Sequence, residues 1–300
     1  SEDIQDFDLA DVTAPNGTFG SLSSKVNNGD GTYSYSATFT PTANIEEATN
    51  QFVVGTGWSD LAGNAPAATT SSANYSIDTL RPTIAITSDK SAMHHGQTSL
   101  ITFTLSEDST GFARNDVAVS GGSLSQWTEV SASVYTAVFM PANNNSGNAL
   151  ISVSDNAFTD LAGNLNTDGG DSDNKVDITV APTAIFREVP SSVQPGSLNK
   201  MTIFLTEGSS NFSRSSILSS VALSGFRRIS DTLYEVQYVA PRIGKIRMGV
   251  ISGSYTDAVG VASIANSDGL DSISIDVSAV ASYGSTTPSS LTGITPLYST

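Results

Sequence analysis

Phe158–Asn164 reads FTDLAGN, Trp58–Asn64 reads WSDLAGN, and Tyr255–Val261 reads YTDAVGV. Met once, an aspartate in a glycine-containing loop looks like a catalytic acid. Met three times at a spacing of about 100 residues, it reads as the marker of a repeated unit. The constant parts are an aromatic, a hydroxyl residue, an aspartate and a glycine three positions on. In a sandwich domain these are the parts of a corner: the ring plugs a core, the aspartate accepts backbone N–H groups, and the glycine takes the positive φ of a tight turn.

Other features fall into the same register. SEDIQDFDLADV at Ser1 matches SEDSTGFARNDV at Ser106 and, more loosely, TEGSSNFSRSSI at Thr206. The strands ending at Pro41, Pro141 and Pro241 (GTYSYSATFTP, SVYTAVFMP, TLYEVQYVAP) also correspond. A proline followed by an alternating strand opens the second and third copies at Pro82 and Pro182. A period this long exceeds that of a solenoid repeat, so each copy is a whole domain. The expected division is 1–81, 82–181 and a divergent 182–280, followed by an extended Ser/Thr/Pro tail, 281–300.

Within a copy the strands alternate. Tyr135, Ala137 and Phe139 share one face of VYTAVFM, and Ile101, Phe103 and Leu105 share one face of LITFTLS. NNGDGTY, at Asn27–Tyr33, is a hairpin signal. TANIEEATNQF, at Thr42–Phe52, is the nearest approach to a helical pattern and is expected to hold one or two turns at most. About seven short strands per copy, with one face buried, predict an all-β fold of tandem immunoglobulin-like sandwiches. The second copy has 24 residues, Pro82–Leu105, ahead of its SED motif, whereas the first copy opens on that motif. The first sandwich is therefore expected to lack its two opening strands, supplied either by a longer polypeptide or by a neighbouring chain.

Composition bounds the chemistry. The chain has 300 residues, 14% of them charged, and no cysteine, which excludes disulfides and thiol catalysis. No apolar run approaches the ~18–20 residues of a membrane span, and no basic-then-apolar leader opens the chain. The net charge is −16. Residues 1–81 carry ten acids against two bases, and residues 82–181 eleven against three, which disfavours nucleic acid and anionic membrane as partners. Residues 182–280 carry eight of each.

The residues quoted above, with VSGGSLSQW and the closing YSIDTLRPT, resemble the bacterial Ig-like repeats that stand in tandem in large bacterial surface proteins and adhesins. Similar modules are appended to structural proteins of tailed phages. The resemblance covers about 280 residues and weakens in the third copy, where Val261 replaces the asparagine of LAGN. It implies an elongated, non-enzymatic rod for reach, display or adhesion on a cell or virion surface. Its partners would be protein neighbours in a larger assembly, whether adjoining subunits or upstream domains, or surface glycans.

Two further kinds of site are legible. Some relatives of the repeat resemble calcium-stiffened rods, which makes Asp60, Asp160 and Asp257 candidate calcium ligands beside their corner role. A D-G-x-D loop recurs as Asp168/Asp171 in the second copy and Asp268/Asp271 in the third. It reads either as a solvated acidic loop or as further oxygen donors, since Ca²⁺ takes six to eight. Arg227, Arg228, Arg242, Lys245 and Arg247 are expected on one hairpin of the third copy, with Lys245 and Arg247 outward. Together with the uncharged tail they form a candidate docking surface for an acidic partner. A carbohydrate- or polymer-binding module is the alternative, with Tyr33, Tyr35, Trp127 and Tyr135 as candidate platform rings unless they pack in the core. His94 and His95 are expected in an exposed loop. With no other histidine, Ser–His–Asp machinery has no parts from which to be assembled, and no catalytic constellation is legible.

Overall fold

The computed structural model describes residues 3–142, 147–168, 172–266, 269 and 271–278. Asp171, Asp268 and the tail lie outside the described residues. The chain forms two compact units. The first is residues 1–92, 96–143 and 148–179, and the second is residues 93–95, 144–147 and 180–300.

The second copy shows the unit complete. One sheet runs Ile84–Ser88, Ser99–Leu105, Val134–Pro141, Gly122–Ser131, and the other Ala92–Met93, Lys175–Val180, Gly147–Val153, Val117–Ser120. Alternation places Ile101, Phe103, Leu105, Tyr135, Ala137 and Phe139 inside, as the period of two requires, and each is buried. At Gly122 the Phe139 ring lies where a β-carbon would stand, 2.4 Å away, so the glycine admits the ring against the backbone. The third copy repeats both strand orders. Ala184–Arg187, Leu198–Leu205, Leu233–Val239 and Leu223–Arg228 form one sheet; Ser192–Val193, Ser272–Val277, Lys245–Val250 and Ile217–Ser219 form the other.

Among the described residues each copy carries one 3₁₀ turn at the same point: Leu9–Asp11, Arg114–Asp116 and Arg214–Ser216. The recurring Asp-Val pair is explained there. Asp11 and Asp116 accept the backbone N–H three residues earlier, at 3.0 and 2.7 Å, before the valine starts the next strand.

The first copy is thinner. Its sheets are pairs and one triplet of short strands, with Gly17–Phe19 on Phe39–Pro41 and Val26–Asn27 on Tyr33–Ser34. The hairpin turn places Gly29 and Gly31 at φ +81° and +87°, as the NNGDG signal demands. The stretch read for helical turns is a strand instead: Glu46–Asn50 pairs with Tyr75–Asp78. The Glu and Ala of EEATN favour a helix locally, but five residues cannot outweigh a ladder partner already in place.

Candidate functional site

The corner motif behaves as its residues dictate. In the first copy Asp60 Oδ1 accepts the N–H groups of Ala62 and Asn64, each at 2.8 Å, and Oδ2 accepts the Asn64 amide at 2.8 Å. In the second, Asp160 Oδ1 accepts Asn164 N–H and Oδ2 accepts the Asn164 side chain, both at 2.8 Å. Gly63, Gly163 and Gly260 take φ near +90°, at 89°, 92° and 93°. Phe158 and Tyr255 are buried, and Trp58 is half-buried. In the third copy Asp257 Oδ1 accepts Val259 and Val261 N–H at 3.0 and 2.8 Å. Val261 has no amide to offer, and Oδ2 is buried without a hydrogen bond.

The second corner takes on a larger role through its neighbours. Asp78, at the end of the Tyr75–Asp78 strand, and Glu107, of the Ser-Glu-Asp motif, join Asp160. Carboxylate oxygens of the three lie within 4.8 Å of one another. Asn164 ties two of them, donating to the Asp78 carbonyl and carboxylate at 3.3 Å as well as to Asp160. Glu107 Oε1 is buried without a hydrogen bond. Its carboxyl is pushed up to about 7, first by burial and then by the charges of Asp160, Asp78 and Glu46. Three clustered carboxylates that repel one another and leave an oxygen unsatisfied form an all-oxygen donor set suited to a hard cation such as Ca²⁺. Beside them Arg81 donates from Nε to the Leu165 carbonyl at 2.7 Å. Its guanidinium also reaches the Asn156 side chain at 2.7 Å and the Asn166 carbonyl at 3.0 Å.

The third copy keeps two of the three acids. Glu207 and Asp257 are 6% and 3% exposed, but Ile178 occupies the position of Asp78. Glu207 is also pushed up to about 7, first by burial and then by the charge of Asp257. His95 Nε2 stands 3.5 Å from Glu207 Oε1. Contrary to the exposed loop expected from sequence, His94 is only 5% exposed and His95 is half-buried, its pKa lowered by burial and by His94. The Ala181 N–H donates to the Met93 carbonyl at 2.9 Å and pins their loop.

The other candidates separate. Asp168 Oδ1 accepts Ile84 N–H at 2.9 Å, which ties its loop to the start of the Ile84–Ser88 strand, and Asp271 Oδ2 accepts Asn266 N–H at 2.9 Å within its own loop. The five basic residues do not share a hairpin. Arg227 and Arg228 lie on the Leu223–Arg228 strand of one sheet, Lys245 and Arg247 on a strand of the other, because the chain changes sheets between Val239 and Lys245. Arg227 faces Glu235 at 3.6 Å, Arg228 meets Asp231 at 2.5 Å, and Lys245 meets Asp276 at 3.0 Å. Among the described residues Arg242 and Arg247 have no ion pair. Arg247 points outward as expected and borders a shallow groove of about 640 Å³ with Leu218, Ser220 and Ile273. The aromatic platform is not assembled. Tyr135 is buried, and a bulge at Gln126 (φ 52°) turns Trp127 onto Phe103, Phe112 and Tyr135. Tyr35 packs on Phe7, and Tyr33 lies beneath Lys25.

Glu107 and Asp78 were not singled out in the sequence. A glutamate at the second position of SED, SED and TEG was the available signal, since it recurs in all three copies.

Among curated proteins none matches the chain in sequence. Solved structures that are similar include FdeC, an Escherichia coli adhesin, at 10% identity and TM-score 0.30 over 89% of this chain and 86% of that one. Invasin, a bacterial integrin-binding protein, is similar at 11% identity and TM-score 0.33, over 84% of this chain and 49% of that one. The Yersinia pseudotuberculosis adhesin InvE is similar at 14% identity and TM-score 0.28, over 65% and 58%. The sequence pattern of the bacterial Ig-like domain matches residues 1–77 and again 78–180. With three copies of one corner motif and two complete sandwiches of the same strand order, the chain belongs to the bacterial Ig-like domain family.

Proposed function

We propose that the chain is a non-enzymatic structural and adhesive segment of a larger surface protein, in which tandem sandwiches provide reach and display outside the cell. One observation carries this reading: the residues that recur in every copy are spent on building corners and a junction, not on lining a cleft. Docking through the third copy rests on Arg242, Arg247 and the shallow groove, a narrower patch than five clustered bases. A test is binding of the purified chain to immobilised host-cell proteins and to a glycan array. Binding to proteins alone supports adhesion, and selective glycan binding supports the alternative of a polymer-binding module.

In this reading Asp78, Glu107 and Asp160 hold Ca²⁺, which stiffens the passage from the first copy to the second. Added Ca²⁺ is expected to raise the melting temperature of the first unit, and Glu107→Gln to abolish that rise. A melting temperature indifferent to Ca²⁺ and to chelator removes calcium from the structure.

A further inference from the structure

Residues 182–280 balance in charge by count but not by surface. All eight of their bases are exposed, whereas among their described acids Glu188, Asp231 and Asp276 alone are. Glu207 and Asp257 are buried, and Glu235 and Asp271 half-buried. The described part of residues 1–181 shows the reverse: eleven acids are exposed against two bases, Lys25 and Lys175. The outward charge of the third copy is therefore basic, and that of the first two is acidic.

Part of that basic charge is gathered on one sheet. In the second copy the outward side of the sheet carries a cross-strand row of threonines in register: Thr87, Thr102, Thr136 and Thr128. The same row of the third copy reads Arg187, Thr202, Glu235 and Arg227. One step along the strands, the Leu100–Val138 pair gives way to Lys200–Gln237. On the other side, Ala85–Thr104 gives way to Ile185–Phe204. The inward residues stay apolar in both copies, so packing of the core does not call for these charges. Glu235 acts as a pedestal. Its side chain is 13% exposed and lies 3.8 Å from Lys200 and 3.6 Å from Arg227, whose side chains are 72% and 63% exposed. The Arg187 guanidinium stands 3.9 Å from the centre of the Phe204 ring. Of the exposed acids, Glu188 accepts from Thr202 Oγ1 at 3.5 Å, and Asp231 is paired with Arg228. An approaching surface therefore meets three cations held from beneath.

We infer that the face bearing Arg187, Lys200 and Arg227 docks on the acidic first unit of a second copy of this chain. The chain itself supplies the matching charge, since wherever two copies meet, these cations face a surface of eleven exposed acids. Two carboxylates set among the cations suit a protein surface of mixed sign, such as one where Lys25 and Lys175 stand among acids. They suit the unbroken negative charge of a sulfated glycan less well, because Glu188 and Glu235 would repel it. Arg247 and its groove belong to the other sheet, so this face is separate from that patch.

The test is sedimentation velocity of the full chain in the presence of chelator. At about 20 mM NaCl the mean sedimentation coefficient is expected to rise with protein concentration. At about 500 mM NaCl, where charges are screened within a few ångströms, it should stay at the value of a single chain. Returning the face to the residues of the second copy (Arg187→Thr, Lys200→Leu, Arg227→Thr and Glu235→Thr) should weaken association by about tenfold or more. Circular dichroism and melting check that this variant is folded. Arg214→Ser with Lys245→Ser removes the same net charge, two bases here against three bases and one acid there, and should associate as the parent does. In a mixture of isotope-labelled and unlabelled chains joined by carbodiimide, Lys200 should be linked to carboxylates in the first unit of another chain. A parent that remains a single chain at low salt overturns the inference, whether or not it binds a sulfated glycan. So does undiminished association of the four-residue variant, an equal loss in the Arg214 and Lys245 variant, or interchain links of Lys200 confined to residues 182–280.

Discussion

Asn164 and Val261 occupy one position in two corners, and the difference is a single amide. Asn164 satisfies Asp160 Oδ2, whereas Val261 leaves Asp257 Oδ2 buried without a hydrogen bond. An unsatisfied buried carboxylate oxygen costs about 1–3 kcal/mol, so Val261→Asn is expected to stabilise the third copy by about 1 kcal/mol in chemical denaturation. Asn164→Val should destabilise the second copy by at least as much, because Asn164 also reaches Asp78. The corner was legible from sequence because aspartate, glycine and ring serve one local geometry, and local geometry is written in neighbouring residues. The acidic triad was not, because Asp78, Glu107 and Asp160 are far apart in the chain and are brought together only by folding.

At the scale of strands and loops, the buried acid pair of the third copy sets an unusual pH dependence. Glu207 is raised from the ordinary carboxylate range to about 7, so between pH 4.5 and 7 the folded chain holds a proton that the unfolded chain has lost. Its contribution is fully present below the unfolded value and fades as pH rises through the folded one. Melting of the third copy is expected to lose up to ~3 kcal/mol between pH 4.5 and 8. Glu207→Gln should flatten that slope, with a native circular dichroism spectrum as the check on folding. The alternating strands were readable ahead of the structure wherever one face is buried, as in Ser99–Leu105 and Val134–Pro141. Glu46–Asn50 was not, since four of its five residues are exposed and no alternation marks a strand. The basic hairpin failed for a related reason: sequence shows that two strands are adjacent, but not that the chain crosses between sheets.

Across the whole molecule charge is divided unequally. Residues 1–181 carry an excess of sixteen acids, and residues 182–280 balance. Self-repulsion in the acidic part is screened by salt over about 10 Å at 0.1 M. Raising NaCl from 10 to 500 mM in the presence of chelator is therefore expected to stabilise the first unit by more than the second, seen as convergence or reordering of two calorimetric transitions. The family and the all-β architecture were fully legible at this scale, because repetition supplies its own alignment. Arg81 closes the account. Its three hydrogen bonds bind the connector between the first two copies to Asn156, Leu165 and Asn166, which flank the second copy's corner. Bending the chain at Arg81 thus means prising at that corner, so the joint can hinge only by giving up those three hydrogen bonds.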